Sequence, residues 1–308
     1  MRIYTRAELH HRGMSDVAIS RAVVQGRLHR VSRGRYSFDV APTALVRHEA
    51  LMGACRGQVL GLESAALALG LPVDRVPQRV QVIASGTGRS WTRGDRQLRT
   101  APLPESHLQL AGPHLVTSVA RTIVDLARLR RPVSALITWE AALREAGDRA
   151  SGLRLEVDEV LGVLRGRQGI AKARHLHGFA SALSESPKES ESRWLISDLG
   201  LPDPVQQFEV FDGRGRLLGR ADFAWPERGV LGEYDGEGKY EELARPGQSP
   251  RDVVLEERRR QQGMEQEGWT FSRWGKAELR APSLLLECIL TAFARADSGQ
   301  FRPRLGTG

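Results

Sequence analysis

The spacing of three glycines near the N-terminus constrains this chain more than any other feature. Gly13 closes a short run with helical character from about Thr5 to His11. Gly26 closes a second run that opens with Ser15 as N-cap and carries Ala18, Ile19, Ala22 and Val23 on one stripe. Gly34 then lies in the turn of RLHRVSRGRYSF, whose flanks read as two short strands, Leu28 to Val31 and Arg35 to Phe38. Helix, glycine turn, helix and hairpin make a helix-turn-helix followed by a wing.

The charge of that segment gives it a use. Residues 1–40 hold eight arginines against Glu8, Asp16 and Asp39. In such a module the second helix offers Ser20, Arg21 and Gln25, with Asp16 a further candidate, to a major groove, while Arg30, Arg33 and Arg35 on the wing suit backbone phosphates or the minor groove. The whole chain carries a formal charge of +8 with a pI near 10.1, which favours polyanions such as double-stranded DNA. Only Lys172, Lys188, Lys239 and Lys276 are lysines, so the arginine excess also fits a GC-rich coding bias, and position weighs more than the total.

GMSDVAISRAVVQGRLHRVSRGRY resembles the N-terminal winged-helix domain of AbiEi-type antitoxins of type IV toxin–antitoxin systems. The resemblance implies transcriptional regulation by the first module and leaves room for a toxin partner. It does not reach the C-terminal part of the chain.

At 308 residues the chain is long enough for two or three domains. No window approaches 18 consecutive apolar residues, so a membrane-spanning helix is not expected. MRIYTRAELHHRG lacks an apolar signal core, and Cys55 and Cys288 form no disulfide framework, which together predict a cytoplasmic protein. The expected division is a winged helix over 1–44, a connecting domain over 45–178, a third domain over 179–298 and a disordered tail over 299–308.

The middle is chemically quiet. HEALMGACRG, GLESAALALG, VTSVARTIVDLARL and VSALITWEAALREAG read as helices, VQVIAS and QLRTAPL as strands. GTGRS lacks the ending of a phosphate-binding Walker loop, and His107, His114, His175 and His177 are scattered.

The chemistry gathers after residue 184. SESPKESESRWLISDLG reads as a capped helix with Glu189 or Glu191 in its first turns, and FEVFDGRGRLLG as a hairpin turning at Asp212 and Gly213. Asp222 then lies on the strand Arg220 to Trp225, and Glu233 with Asp235 on the strand Gly229 to Tyr234. Side chains alternate along a strand, so Glu233 and Asp235 are expected on one face. Carboxylates on adjacent strands can grip Mg²⁺ or Mn²⁺, and a phosphodiester hydrolysis needs such an ion to polarise a phosphoryl oxygen and acidify a water. In PD-(D/E)XK terms Asp222 is the first aspartate and Glu233, Tyr234, Asp235 the triplet, with an acid where the lysine is usual. Lys239 follows four residues later as a substitute cation.

From Ser184 to Leu279 the chain resembles very-short-patch-repair-like endonuclease domains, through SESPKES, GRADFAWPE, GEYDGEGKY and EERRRQQGMEQEGWTFSRW. The resemblance implies a restriction-endonuclease-like α/β fold in which Glu189, Asp222, Glu233 and Asp235 approach one metal site, with Lys239 where many relatives have histidine. In the helix Val254 to Glu267, Arg258 or Arg259 is the candidate phosphate contact, because three consecutive arginines cannot share one helical face. Trp269, Phe271 and Trp274 read as core residues of the last strand. Two functions remain open: a metal-dependent DNA endonuclease or nickase, and a DNA-binding regulator with a non-catalytic nuclease-like domain.

Overall fold

The computed structural model describes residues 2–39, 43–55, 57–236 and 250–299, and the chain is a mixed α/β protein of two compact units, Met1–Ala180 and Ser181–Gly308. The first unit thus takes in both the segment expected over 1–44 and that expected over 45–178. Lys239 and all of the expected tail beyond Gly299 lie outside the described residues. Among the described residues no helix is long and apolar enough to cross a membrane.

The first unit opens with β1 (Tyr4–Thr5), α1 (Arg6–His11), α2 (Asp16–Val24), β2 (His29–Ser32) and β3 (Arg35–Ser37). Thr5 caps α1 reciprocally with Glu8, and Ser15 caps α2 by accepting from the Ala18 N–H at 3.3 Å. Gly13 at φ +80° and Gly26 at φ +67° take the left-handed conformation that ends each helix. Leu9, Ile19, Ala22, Leu28 and Tyr36 close a small core beneath. The strands order β1-β3-β2, so Tyr4 and Thr5, which carried no strand signal, add an edge to the hairpin.

The same unit continues through α3 (Ala44–Met52), β4 (Val59–Leu60), α4 (Leu62–Ala68), β5 (Val80–Ala84), β6 (Trp91–Arg93), β7 (Arg96–Thr100), β8 (Leu108–Ala111) and β9 (His114–Thr117). These strands form a mixed sheet of order β6-β7-β5-β4-β9-β8. Helices α5 (Val119–Leu129), α6 (Pro132–Ala146), α7 (Ala150–Val163) and α8 (Ile170–Phe179) follow. VTSVARTIVDLARL reads as amphipathic, yet Ala120 to Arg128 are all buried, because α4, α6, α7 and α8 surround α5. Its charges survive by mutual satisfaction. Asp125 takes Arg121 Nε at 2.7 Å and Arg128 Nη1 at 2.8 Å, and Arg121 Nη1 also reaches Pro102 O at 2.7 Å and His107 Nδ1 at 3.0 Å. His107 is therefore buried among charges.

The second unit runs α9 (Pro187–Asp198), β10 (Val205–Phe211), β11 (Leu217–Trp225), β12 (Val230–Tyr234), α10 (Pro250–Gln266), β13 (Thr270–Trp274), α11 (Lys276–Arg280) and α12 (Pro282–Ser298). Its sheet has the order β10-β11-β12-β13, antiparallel except for the parallel pair β12 and β13. Strand alternation splits the hydrophobic side chains into two layers. Phe223, Trp225, Val230, Tyr234 and Trp274 face α9 and α12, whereas Ala224, Leu231 and Trp269 pack with Met264 of α10. Gly232 is required in the first layer, since a Cβ there would meet Trp274 Cη2 at 2.7 Å.

Candidate functional site

Three elements of the second unit bring carboxylates together. Ser186 caps α9, its Oγ accepting the Glu189 N–H at 3.2 Å, which sets Glu189 in the first turn with its carboxyl folded back toward the cap. Glu189 Oε2 accepts from Glu185 N at 2.8 Å and from Gln207 Nε2 at 2.9 Å. Gln207 reaches it from β10 with φ +51°, an uncommon backbone conformation for a residue with a side chain. Burial pushes the Glu189 carboxyl above the ordinary range, and the negative charge of Asp222 pushes it further.

Asp222 lies near the middle of the sheet. Strands β11 and β12 pair as far as Phe223 with Gly232, and Asp222 Oδ2 then takes the Tyr234 N–H at 3.0 Å. One further step of that register sets Asp222 beside Glu233, and Glu233 is in register with Arg273 of β13. Glu233 is buried and held at both oxygens. Arg260 Nη2 donates to its Oε1 at 2.6 Å, and Arg273 meets its Oε2 through Nε at 3.0 Å and Nη2 at 2.8 Å. Arg260 also donates to Arg220 O at 3.0 Å, lying across β11 where Gly219 leaves the backbone bare. Arg273 Nη1 reaches Gln261 Oε1 at 2.9 Å.

The predicted site residues therefore divide. Glu189, Asp222 and Glu233 come from α9, β11 and β12 to one region of the sheet. Asp235 stands one residue past the end of β12, exposed, with its N–H given to Trp274 O at 2.8 Å, so strand alternation does not extend to it. Among the described residues no three acidic, histidine or cysteine side chains lie close enough to hold a metal ion. Arg258 and Arg259 are exposed, and Arg260 is the member of the triplet that turns inward. Its signal was present in the sequence: Arg260 lies four residues before the buried Met264, on the same helical face. Arg273 had no comparable signal, because only the parallel register of β13 sets it against Glu233.

In the first unit Ser20, Arg21, Arg30 and Arg33 are exposed on α2, β2 and the turn. Gln25 accepts from Arg27 Nε at 3.1 Å. Arg35 is only partly exposed, and its Nη1 donates to Ala50 O at 2.7 Å, which ties the hairpin to α3. Asp16 pairs with both Arg6 Nε and His10 Nε2 at 2.7 Å, bracing α1 against the start of α2.

Fold and site define a mixed α/β protein of two units, the first opening with two short helices and an arginine-rich hairpin, the second carrying a cluster of carboxylates and arginines on a four-stranded sheet. No protein-family model matches the chain. It is 39% identical over 167 residues to two Mycobacterium tuberculosis proteins, the uncharacterized protein MT2308 of strain CDC 1551 / Oshkosh and the uncharacterized protein Rv2248 of strain ATCC 25618 / H37Rv. The match takes in 54% of this chain and 56% of each relative, so the chain spans about half the length of the curated relatives it matches. The crystal structure of the RV2827C protein from the same species overlaps 68% of this chain and 84% of its own, with a TM-score of 0.38 and 16% identity.

Proposed function

We propose that the chain acts on duplex DNA, held by an N-terminal winged helix, and that its second unit is a Mg²⁺-dependent phosphodiesterase of the PD-(D/E)XK type. The observation that carries this is that Glu189 and Asp222 reach one region of the sheet from different elements, where burial raises the Glu189 carboxyl and the charge of Asp222 adds to the rise. Such a pair is costly unless a cation relieves it. Hard carboxylate oxygens suit Mg²⁺ or Mn²⁺, so Glu189 and Asp222 are the residues that would hold the ion. When bound, it supplies polarisation of a phosphoryl oxygen and a more acidic water. Gln207 and the Glu185 N–H fix the Glu189 carboxyl in place, and Arg260 and Arg273 bring two guanidinium groups to Glu233, the register neighbour of Asp222. The element order, helix, three strands, helix, strand, is that of the endonuclease domains the sequence resembles.

A second function is favoured by one specific observation: both oxygens of Glu233 are already taken by guanidinium groups. A carboxylate so neutralised suits a DNA-binding regulator of the AbiEi antitoxin type, with a toxin partner and no turnover. Supercoiled plasmid incubated with Mg²⁺, Mn²⁺ or chelator, alongside calorimetric titration of Mg²⁺ into the protein, separates the two. Metal-dependent nicking together with saturable Mg²⁺ binding is expected. Intact plasmid and no binding heat would leave the regulator.

A further inference from the structure

Helix α2 buries Ile19 and Ala22 and leaves the opposite stripe to solvent, where two valines stand almost fully out: Val17 is 67% exposed and Val24 is 88% exposed. Ser20 and Arg21, both exposed, lie between them, so positions 17, 20, 21 and 24 form one line along the helix. The apolar surface is thus interrupted by a guanidinium. A protein partner covering both valines would have to bury that charge, whereas the major groove presents methyl groups and hydrogen-bond acceptors side by side. The surrounding charge fits the same occupant, with Arg27, Arg30 and Arg33 also exposed and eight arginines against three acids over residues 1–40.

We infer that Val17 and Val24 read the 5-methyl groups of two thymines that flank a guanine read by Arg21. Seven residues of helix rise about 10 Å, or roughly three base-pair steps, which sets the spacing of the two thymines. The inference rests on the duplex-binding role proposed for the first unit and adds the bases it selects. It gives the two valines a task that a phosphate-binding surface does not need.

The full-length protein is first used to select preferred duplexes from a random pool. Thymine is then replaced by deoxyuridine one position at a time, which keeps the pairing and the O4 acceptor and removes only the methyl group. Wild type is expected to lose roughly fourfold in affinity at each of two positions, the size of one methyl-sized contact. Val17→Ser should abolish the sensitivity at one position and Val24→Ser at the other, and Val17→Thr, which keeps one methyl, should fall between. Unchanged circular-dichroism melts establish that the variants fold. Duplex binding that is indifferent to uracil everywhere overturns the methyl readout and leaves duplex binding standing. Absence of any duplex binding at low salt overturns both. A change of oligomeric state on sedimentation of Val24→Ser would also overturn the inference, assigning the stripe to a protein contact.

Discussion

Glu189 and Glu233 are both buried acids on one sheet, yet they are stabilised in opposite ways, and each makes a prediction. Glu189 is buried and faces Asp222, so its carboxyl titrates above the ordinary 4.5 although the Glu185 N–H pulls the other way. Below that ordinary value folded and unfolded chains both carry the proton and nothing is lost. As pH rises through the raised value the folded state must ionise a buried acid beside a like charge, and stability falls. Metal-free Glu189→Gln should therefore melt higher than wild type near neutral pH, by roughly 2–4 °C per kcal/mol relieved in a chain of this size, and the gain should shrink in acid. A glutamine that melts lower than wild type at neutral pH removes the premise of a strained acid pair. Glu233 is the reverse case. Its charge is matched by Arg260 and Arg273; Arg273 donates from Nε to Glu233, brings Nη2 within 2.8 Å of the same oxygen, and holds Gln261 through Nη1. A lysine ammonium is a single point that cannot reach Glu233 and Gln261 at once as the planar guanidinium does, so Arg273→Lys should cost about 2 kcal/mol in denaturant unfolding. Combining it with Glu233→Gln should cost less than the sum, because the two share one interaction. Strict additivity would show that the pair is not coupled.

At the level of elements the N-terminal hairpin assigns different arginines to the proposed duplex binding and to support of the fold. Arg33 sits exposed in its turn, while Arg35 donates to the end of α3 through Ala50 O. Arg33→Ala should weaken duplex binding alike on many sequences and leave the melting curve unmoved. Arg35→Ala should lower the melting temperature as well, and equal effects of the two on stability would remove the distinction. Much of this architecture was legible in the sequence because it is written in local chemistry. Ser15 and Gly26 bound α2, Ser186 starts α9, and the turn at Asp212 and Gly213 joins β10 to β11. What was not legible depends on partners distant in sequence. Arg121 and Asp125 look like the polar face of an amphipathic helix until neighbouring helices enclose α5. Arg273 looks like a strand's solvent-side residue until β13 pairs parallel to β12 and sets it on Glu233. Asp235 lies one residue past the end of β12, a boundary that the alternating pattern of the sequence does not mark. The candidate site was thus readable as a set of acids, and the pairing of Glu233 with two arginines was not.

For the whole molecule, the proposed function would have the first unit find DNA and the second cut it, and kinetics can tell the two apart. With a net charge of +8, the chain should meet duplex DNA through many weak phosphate contacts whose strength falls steeply with salt. If the first unit supplies most of that affinity, full-length protein carrying Arg21→Ala and Arg33→Ala should cleave plasmid with a raised KM and a preserved kcat, and its binding should lose about one unit of salt slope per phosphate contact removed. Asp222→Asn should do the converse. An amide keeps the shape and still offers an oxygen to the Tyr234 N–H, so DNA affinity should hold, while loss of the ligand charge should lower kcat by orders of magnitude and weaken Mg²⁺ binding in calorimetry. Both variants are read on one plasmid over a series of salt concentrations. A fall in kcat with the arginine pair, or unchanged cleavage with Asp222→Asn, would mean that the units do not split binding from chemistry in this way. Unchanged cleavage by Asp222→Asn with Mg²⁺ binding intact would further place the reacting centre away from the sheet row that joins Asp222 to Glu233.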